Sequence, residues 1–412
     1  MYRISPHIRI FALALLAGAG LATFWVNLDP GSYYDFIEWR IADLVLPGWV
    51  WAGSVSLTPF MIVADILMAL FFFLIGKELW EAMTLERGSL SGRRAILPLG
   101  MTAGGLIGAG AGWLILSALI ETAEEAVSGG GWQAPLGSDT LLVCLFGRMV
   151  FGRRPALHLV MLLAIATDIL ALVILGLSNL AFSPRLMWLL VTLASALVVY
   201  RFFGRSPGAG ASERERRAAA ALWPYVIAGA FCWFGVAAAG LPATLGLLPL
   251  LPAIAHADRS FGLFAEAESF LHDPLNRLIR LLVWPVILIL FLFGLIRGGV
   301  DLAAFAPTTL VMLGALWLGR PLGMALVVLA LAAIFGSRLP RGLRVRDLVL
   351  SVMLLSIGFT VPAVAIEASL PGGAMREAAR MGMAISLLAG PIAVLVARGL
   401  LRRGPAPSAP TP

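Results

Sequence analysis

Two aspartates stand where water should be scarce. Asp139 lies in GWQAPLGSDT, four residues after Pro135 and two after Gly137, and Asp168 lies mid-way along the smooth apolar run LAIATDILAL. A charge at bilayer depth costs about 2.5–3.5 kcal/mol on insertion scales, so acids in such runs are functional by default. A carboxylate withdrawn from water relieves its charge by taking a proton or a small cation, one occupant at a time. That competition is the chemistry of proton/cation exchange, and Asp168 is the first candidate for it. The break at Pro135–Gly137 would free backbone carbonyls and leave helix ends with exposed dipoles. Asp139 there either offsets a positive helix terminus or ligates a cation beside those carbonyls. Ser138 and Thr140 add hydroxyl oxygens on either side of it. Thr167 precedes Asp168 and offers another oxygen, unless its hydroxyl bonds back to its own helix.

Other charges fall in apolar stretches. Arg320, in LWLGRPLGM, stays protonated under any accessible condition; it can balance charge but cannot carry the exchanged proton. Arg297, in GLIRGGV, lies nearer a span end, where snorkelling to the interface is expected. Lys77 and Glu78 form either an interfacial pair or a pH-responsive cluster at a funnel mouth. Asp65 lies deeper on the same span and is expected to help hold spans together.

These residues need helices in a bilayer to position them. The 412 residues are 60% hydrophobic and only 13% charged, with a mean hydropathy of +0.93; soluble domains run near a quarter charged. At about 20 residues per crossing, the chain has room for about a dozen spans and almost nothing else. The first run, Ile8–Val26, is read as a retained span rather than a cleaved signal, being long and ending in Phe24-Trp25. Further spans are expected at Leu57–Leu79, Ala95–Ile120, Ala134–Phe146, Leu157–Leu177, Arg185–Phe203, Trp223–Ala239, Leu241–Ala255, Leu282–Ile296, Ala306–Phe335, Leu348–Ala368 and Met375–Leu401. Residues 27–56 read as an amphipathic outer segment anchored by Trp39, Trp49 and Trp51, and Arg259–Leu281 as a helix lying on the inner surface.

Loops after even-numbered spans are rich in arginine, and loops after odd-numbered spans are acidic or short. The positive-inside rule then puts both termini in the cytoplasm and supports the count of twelve. The organisation is a single membrane transporter domain. Residues 1–203 hold spans 1–6, residues 204–222 a polar cytoplasmic linker, residues 223–401 spans 7–12, and residues 402–412 a disordered tail. Spans 4 and 11 are the most interrupted by Gly and Pro, the latter at Gly358–Pro362. They hold matching positions in segments 3–5 and 10–12, which would run in opposite directions. Interrupted spans at matching positions of inverted repeats point to a transporter's binding site.

Four strings in order carry a resemblance to the NhaA sodium/proton antiporter family: FFFLIGKEL with the later RGSL (Phe71–Leu79, Arg87–Leu90), GWQAPLGSD (Gly131–Asp139), LGRPLG (Leu318–Gly323) and IGFT (Ile357–Thr360). The resemblance covers spans 2 to 12. It implies an all-α polytopic fold of about twelve helices, with spans 4 and 11 unwound and crossing at mid-membrane. It implies Asp139 as the polar group at the crossing, Asp168 as the essential ion- and proton-binding carboxylate, and Glu78 in the cytoplasmic pH-responsive region. It also implies a homodimer formed through the outer segment. Three departures stand out. The family usually has an aspartate at Thr167, a lysine at Arg320 and a histidine at Pro242. One ionisable carboxylate is gone, and the remaining cation cannot give up its proton. The expectation is one proton per cation at Asp168 rather than the family's two.

The leading reading is a secondary antiporter of a bacterial inner membrane exchanging Na+ or Li+ for H+. The alternative is a degenerate member with altered selectivity or a regulatory role. An intramembrane aspartyl protease would need a GxGD context, which is absent. Cys144 and Cys232 lie in apolar runs and the four histidines are scattered, so neither a disulfide framework nor a metal site is expected. The reading implies no enzyme, no cofactor and no nucleic-acid partner.

Overall fold

The computed structural model describes residues 7–45, 47–48, 54–84, 95–120, 130–152, 154–178, 184–204, 221–254, 274–335 and 344–402. Trp49, Trp51, the loops 85–94 and 121–129, Arg153, most of the linker, residues 255–273, Arg338, Arg341 and the tail from 403 lie outside the described residues.

The described residues are helical nearly throughout. α1 (His7–Leu28) is followed by α2 (Pro30–Glu38), whose first turn is capped by Asp29. A two-stranded antiparallel hairpin, β1 (Ala42–Val45) with β2 (Ser54–Leu57), completes the outer segment. α3 (Pro59–Met83) carries a π turn over Ile62–Leu67 that includes Asp65. Then come α4 (Ile96–Ile120), α5 (Thr140–Phe151), α6 (Pro155–Ser178), α7 (Pro184–Phe202) and α8 (Trp223–Ala238). The eighth expected span is not a regular α-helix. Pro242, Pro249 and Pro252 reduce it to two 3-10 turns, Ala243–Leu245 and Leu248–Ala253, since each proline removes a backbone donor. α9 (Pro274–Arg297) begins earlier than the sequence suggests. Residues 274–281, expected on the inner surface, run straight into the ninth span.

α10 (Pro307–Ile334) is long and contains a second π turn, Ala315–Gly319, ending one residue before Arg320. Such turns recur at functional sites. α11 (Val345–Leu355) and α12 (Thr360–Ser369) are two pieces of the eleventh span, bent by 48° across Ser356–Phe359. α13 (Ala374–Leu400) closes the described chain and is itself interrupted at Leu387–Leu388. Among the described residues, eight helices are long and apolar enough to cross a membrane. With the bent pair and three shorter apolar stretches, these elements fall on the twelve expected spans.

Two bundles result. In one, α1 packs along α9 and α3 joins them, while α7 packs on α8. In the other, α4, α5, α6, α10, α11, α12 and α13 surround the two interruptions. The α4–α10 contact is backbone to backbone: a Cβ on Gly108 would run into the Gly319 carbonyl, and one on Gly323 into the Gly104 carbonyl. This close approach fixes where Arg320 enters the bundle. Each half of this bundle has the same order: a long helix (α4, α10), a broken one (the 131–139 stretch with α5, and α11 with α12), and a helix facing the break (α6, α13).

Candidate functional site

Residues 131–139 cross the bundle without regular helix, and α5 starts only at Thr140. Asp139 is the cap. Its Oδ1 accepts the N–H of Leu142 at 2.7 Å, while its Oδ2 accepts the N–H of Thr360, the first residue of α12, at 3.1 Å. One carboxylate thus sits against the N-termini of helices from both broken spans. Each terminus carries roughly half a positive charge, so a single negative charge matches the pair.

Arg320 does the converse. Its guanidinium donates to the carbonyls of Pro135, Leu136 (2.9 Å) and Gly137 (2.6 Å) in the unwound stretch of span 4. It also donates to the carbonyl of Leu355, the last residue of α11, at 2.6 Å. These are the carbonyls that the interruptions leave without helical partners. A planar fork with five donors suits them better than the point charge of a lysine. Arg320 and Asp139 are both fully buried, and each bonds backbone from both breaks, Arg320 through its two terminal nitrogens while its Nε has no hydrogen-bond partner among the described residues.

Asp168 is set apart from this compensation. It is fully buried on α6 and accepts four hydrogen bonds. Oδ1 takes the N–H and hydroxyl of Ser138, both at 2.7 Å, and Oδ2 takes the N–H of Thr140 at 3.0 Å and its hydroxyl at 2.7 Å. All four donors are neutral. Among the described residues, no basic side chain lies within ion-pair distance of it. Thr167, equally buried beside it, has a hydroxyl without a hydrogen-bond partner among the described residues.

The remaining sequence candidates resolve differently. Lys77 is fully buried and lies 3.4 Å from Glu81 and 4.0 Å from Glu78. Glu81 was not singled out, although its i,i+4 spacing from Lys77 is a readable signal. Asp65 is partly buried in its π turn, and its carbonyl accepts the indole N–H of Trp233 at 3.0 Å, a contact between spans 2 and 7. Pro242 sits against Gly176 of α6.

Arg297 does not snorkel. It is buried, with its guanidinium over the Phe60 ring at 3.8 Å and 3.4 Å from Glu367. A partly buried acid and an aromatic face hold it where water would otherwise have to. Glu367 also pairs with Arg376 and, at 3.0 Å, with Arg380, which in turn meets Glu377 at 2.9 Å. The sequence reading missed this cluster at the end of α12. Its only signal was the recurrence of charge at 376, 377 and 380 on one helical face.

The fold and site together define a class: a polytopic membrane protein built round two broken helices that cross, with a buried carboxylate facing the crossing and, among the described residues, no basic side chain in ion-pair contact with it. Comparison with known proteins narrows it. The family model described as Na+/H+ antiporter 1 matches residues 7–397, and the chain belongs to that family. It is 37% identical to the Na(+)/H(+) antiporter NhaA of Jannaschia sp. (strain CCS1), over 97% of this chain and 98% of that one. It is 32% identical to Na(+)/H(+) antiporter NhaA 2 of Pelobacter propionicus, over 96% and 97%. Among solved structures, the sodium proton antiporter MjNhaP1 of Methanocaldococcus jannaschii aligns over 96% of this chain and 98% of its own at 19% identity and a TM-score of 0.48. The family is one of transporters, not enzymes.

Proposed function

We propose that the protein is a secondary antiporter exchanging Na+, or Li+, for H+ at Asp168 by alternating access. The observation that carries this is the setting of Asp168: a fully buried carboxylate with hydroxyl oxygens around it and, among the described residues, no basic side chain within ion-pair distance. A hard cation takes oxygen ligands. Here it would have the carboxylate, the hydroxyls of Ser138 and Thr140 once they turn their lone pairs inward, and the unpartnered hydroxyl of Thr167. The proton and the cation compete for the same charge, so binding one expels the other.

The exchange is one proton for one cation. Arg320 and Asp139 are already matched to the helix ends, which leaves a single negative charge to be neutralised in each half-cycle. Thr167 supplies no second acid, and Arg320 keeps its proton. The matching halves of the seven-helix bundle, read as inverted repeats, would rock against the bundle of α1, α3 and α9 to open Asp168 to each side in turn.

The same reading puts the chain in a bacterial inner membrane with both termini cytoplasmic. It pairs two copies through the β1–β2 hairpin, where Val45 is 87% exposed. Cross-linking in native membranes that finds only monomers would remove the pairing. The test of function is Na+-dependent proton flux in proteoliposomes. The wild type is expected to acidify or alkalinise the lumen according to the Na+ gradient, and Asp168→Asn to do neither. A wild type without such flux overturns the reading.

A further inference from the structure

Asp168 holds the first break from the helix that follows it, and the second break has a counterpart. Ser386, fully buried on α13, accepts the N–H of Gly358 at 3.1 Å and shares its single proton between the carbonyls of Gly358 (3.1 Å) and Met383 (2.6 Å). The sequence separations are close on both sides: 30 and 28 residues from Ser138 and Thr140 to Asp168, and 28 from Gly358 to Ser386. In each repeat, a side chain of the third helix therefore takes a backbone N–H freed by the break in the second. α13 also loses its own helical continuity immediately after Ser386, at Leu387–Leu388.

We infer that Ser386 is the second repeat's equivalent of Asp168, an uncharged positioning residue that clamps the break of span 11 and so aims the Thr360 N–H at Asp139. The chain of contacts is short. Ser386 fixes both polar groups of Gly358, and Thr360, two residues on, donates to Asp139 Oδ2 at 3.1 Å. Asp139 in turn starts α5, whose first residue, Thr140, contacts Asp168 through its N–H and its hydroxyl. The division of labour also accounts for a single exchange site. One repeat presents a carboxylate to its break and the other a hydroxyl, so only one break gains an exchangeable charge.

The inference rests on the antiporter reading for its consequence and on geometry alone for the clamp, and two measurements separate them. Amide hydrogen exchange of the 356–360 segment in purified protein reads the clamp without transport. Ser386→Ala is expected to speed it about tenfold, as loss of one buried hydrogen bond implies, and Ser386→Thr, which keeps the hydroxyl, to stay within about twofold of wild type. In proteoliposomes, Ser386→Ala is expected to raise the half-saturating Na+ concentration about tenfold with maximal turnover within about twofold, and Ser386→Thr to restore it. Should Ser386→Ala fail to fold, Ser386→Cys, close in volume and a weak donor, carries both comparisons. Unchanged exchange across 356–360, or unchanged half-saturation in a variant that merely accumulates less, overturns the inference. Faster exchange in a wild-type background that carries no Na+-dependent flux upholds the clamp and sinks the functional reading instead.

Discussion

Imposing a membrane voltage separates the one-for-one exchange from any other stoichiometry. At the crossing, one arginine and one aspartate are matched to the carbonyl and N–H ends of the two broken spans. Asp168 is the single negative charge left over. If Arg320 keeps its proton throughout, the site carries zero net charge with the proton bound and zero with Na+ bound, and a full cycle moves no net charge. A second proton per cycle would move one. At 100 mV one elementary charge is worth about 2.3 kcal/mol, which is about 50-fold in the Na+ ratio at which net exchange stops. The assay loads proteoliposomes with K+, sets the voltage with valinomycin, and finds the Na+ gradient that just opposes a fixed pH gradient. The expected result is a balance point that does not move between 0 and 100 mV. A shift of about 50-fold would refute the reasoning, because it requires a second titrating group in the cycle, with Arg320 the first to suspect.

Three further outcomes follow from the same contacts. Arg320→Gln leaves four backbone carbonyls at the two breaks with at most two donors among them; at about 1–3 kcal/mol for each group left unsatisfied, it should lower thermal stability by several degrees and abolish exchange, while Arg320→Lys should lose less, as thermal-shift and flux assays would show. Ser138→Ala and Thr140→Ala each remove one of the four donors to Asp168 and should each raise half-saturating Na+ about five- to tenfold; an unchanged value for both would exclude their hydroxyls from the cation site. Glu367→Gln leaves buried Arg297 without the carboxylate 3.4 Å from it and should destabilise by about 1–3 kcal/mol, Glu367 itself being partly exposed, with Arg297→Gln/Glu367→Gln recovering part of the loss in a double-mutant comparison.

Much of this was legible in the sequence because membranes penalise polarity so heavily. A lone aspartate in LAIATDILAL or an arginine in LWLGRPLGM has few uses in lipid, and both proved to be buried at the crossing. The Pro135–Gly137 and Gly358–Pro362 interruptions located the two breaks for the same reason, since helices in lipid are broken only where something repairs the backbone. What stayed hidden were contacts made by ordinary residues. Ser386 looks like any serine on a membrane helix, and Thr360 acts through its N–H, which every residue but proline has. Arg297 was misread because proximity to a span end suggested the interface, whereas Glu367, 70 residues away in sequence, holds it inside. The eighth span was read as a helix from its apolarity, although its three prolines remove backbone donors, and the stretch forms two 3-10 turns.

The central claim is that the proton and the cation use one carboxylate in turn. Proton release on adding Na+ to purified, weakly buffered protein tests it most directly. Wild type is expected to release about one proton per Na+ bound, with the half-saturating Na+ concentration rising tenfold for each unit the pH falls on the acid side, and Asp168→Asn to bind no Na+ and release nothing. Undiminished release from Asp168→Asn, or Na+ binding that ignores pH, would contradict it.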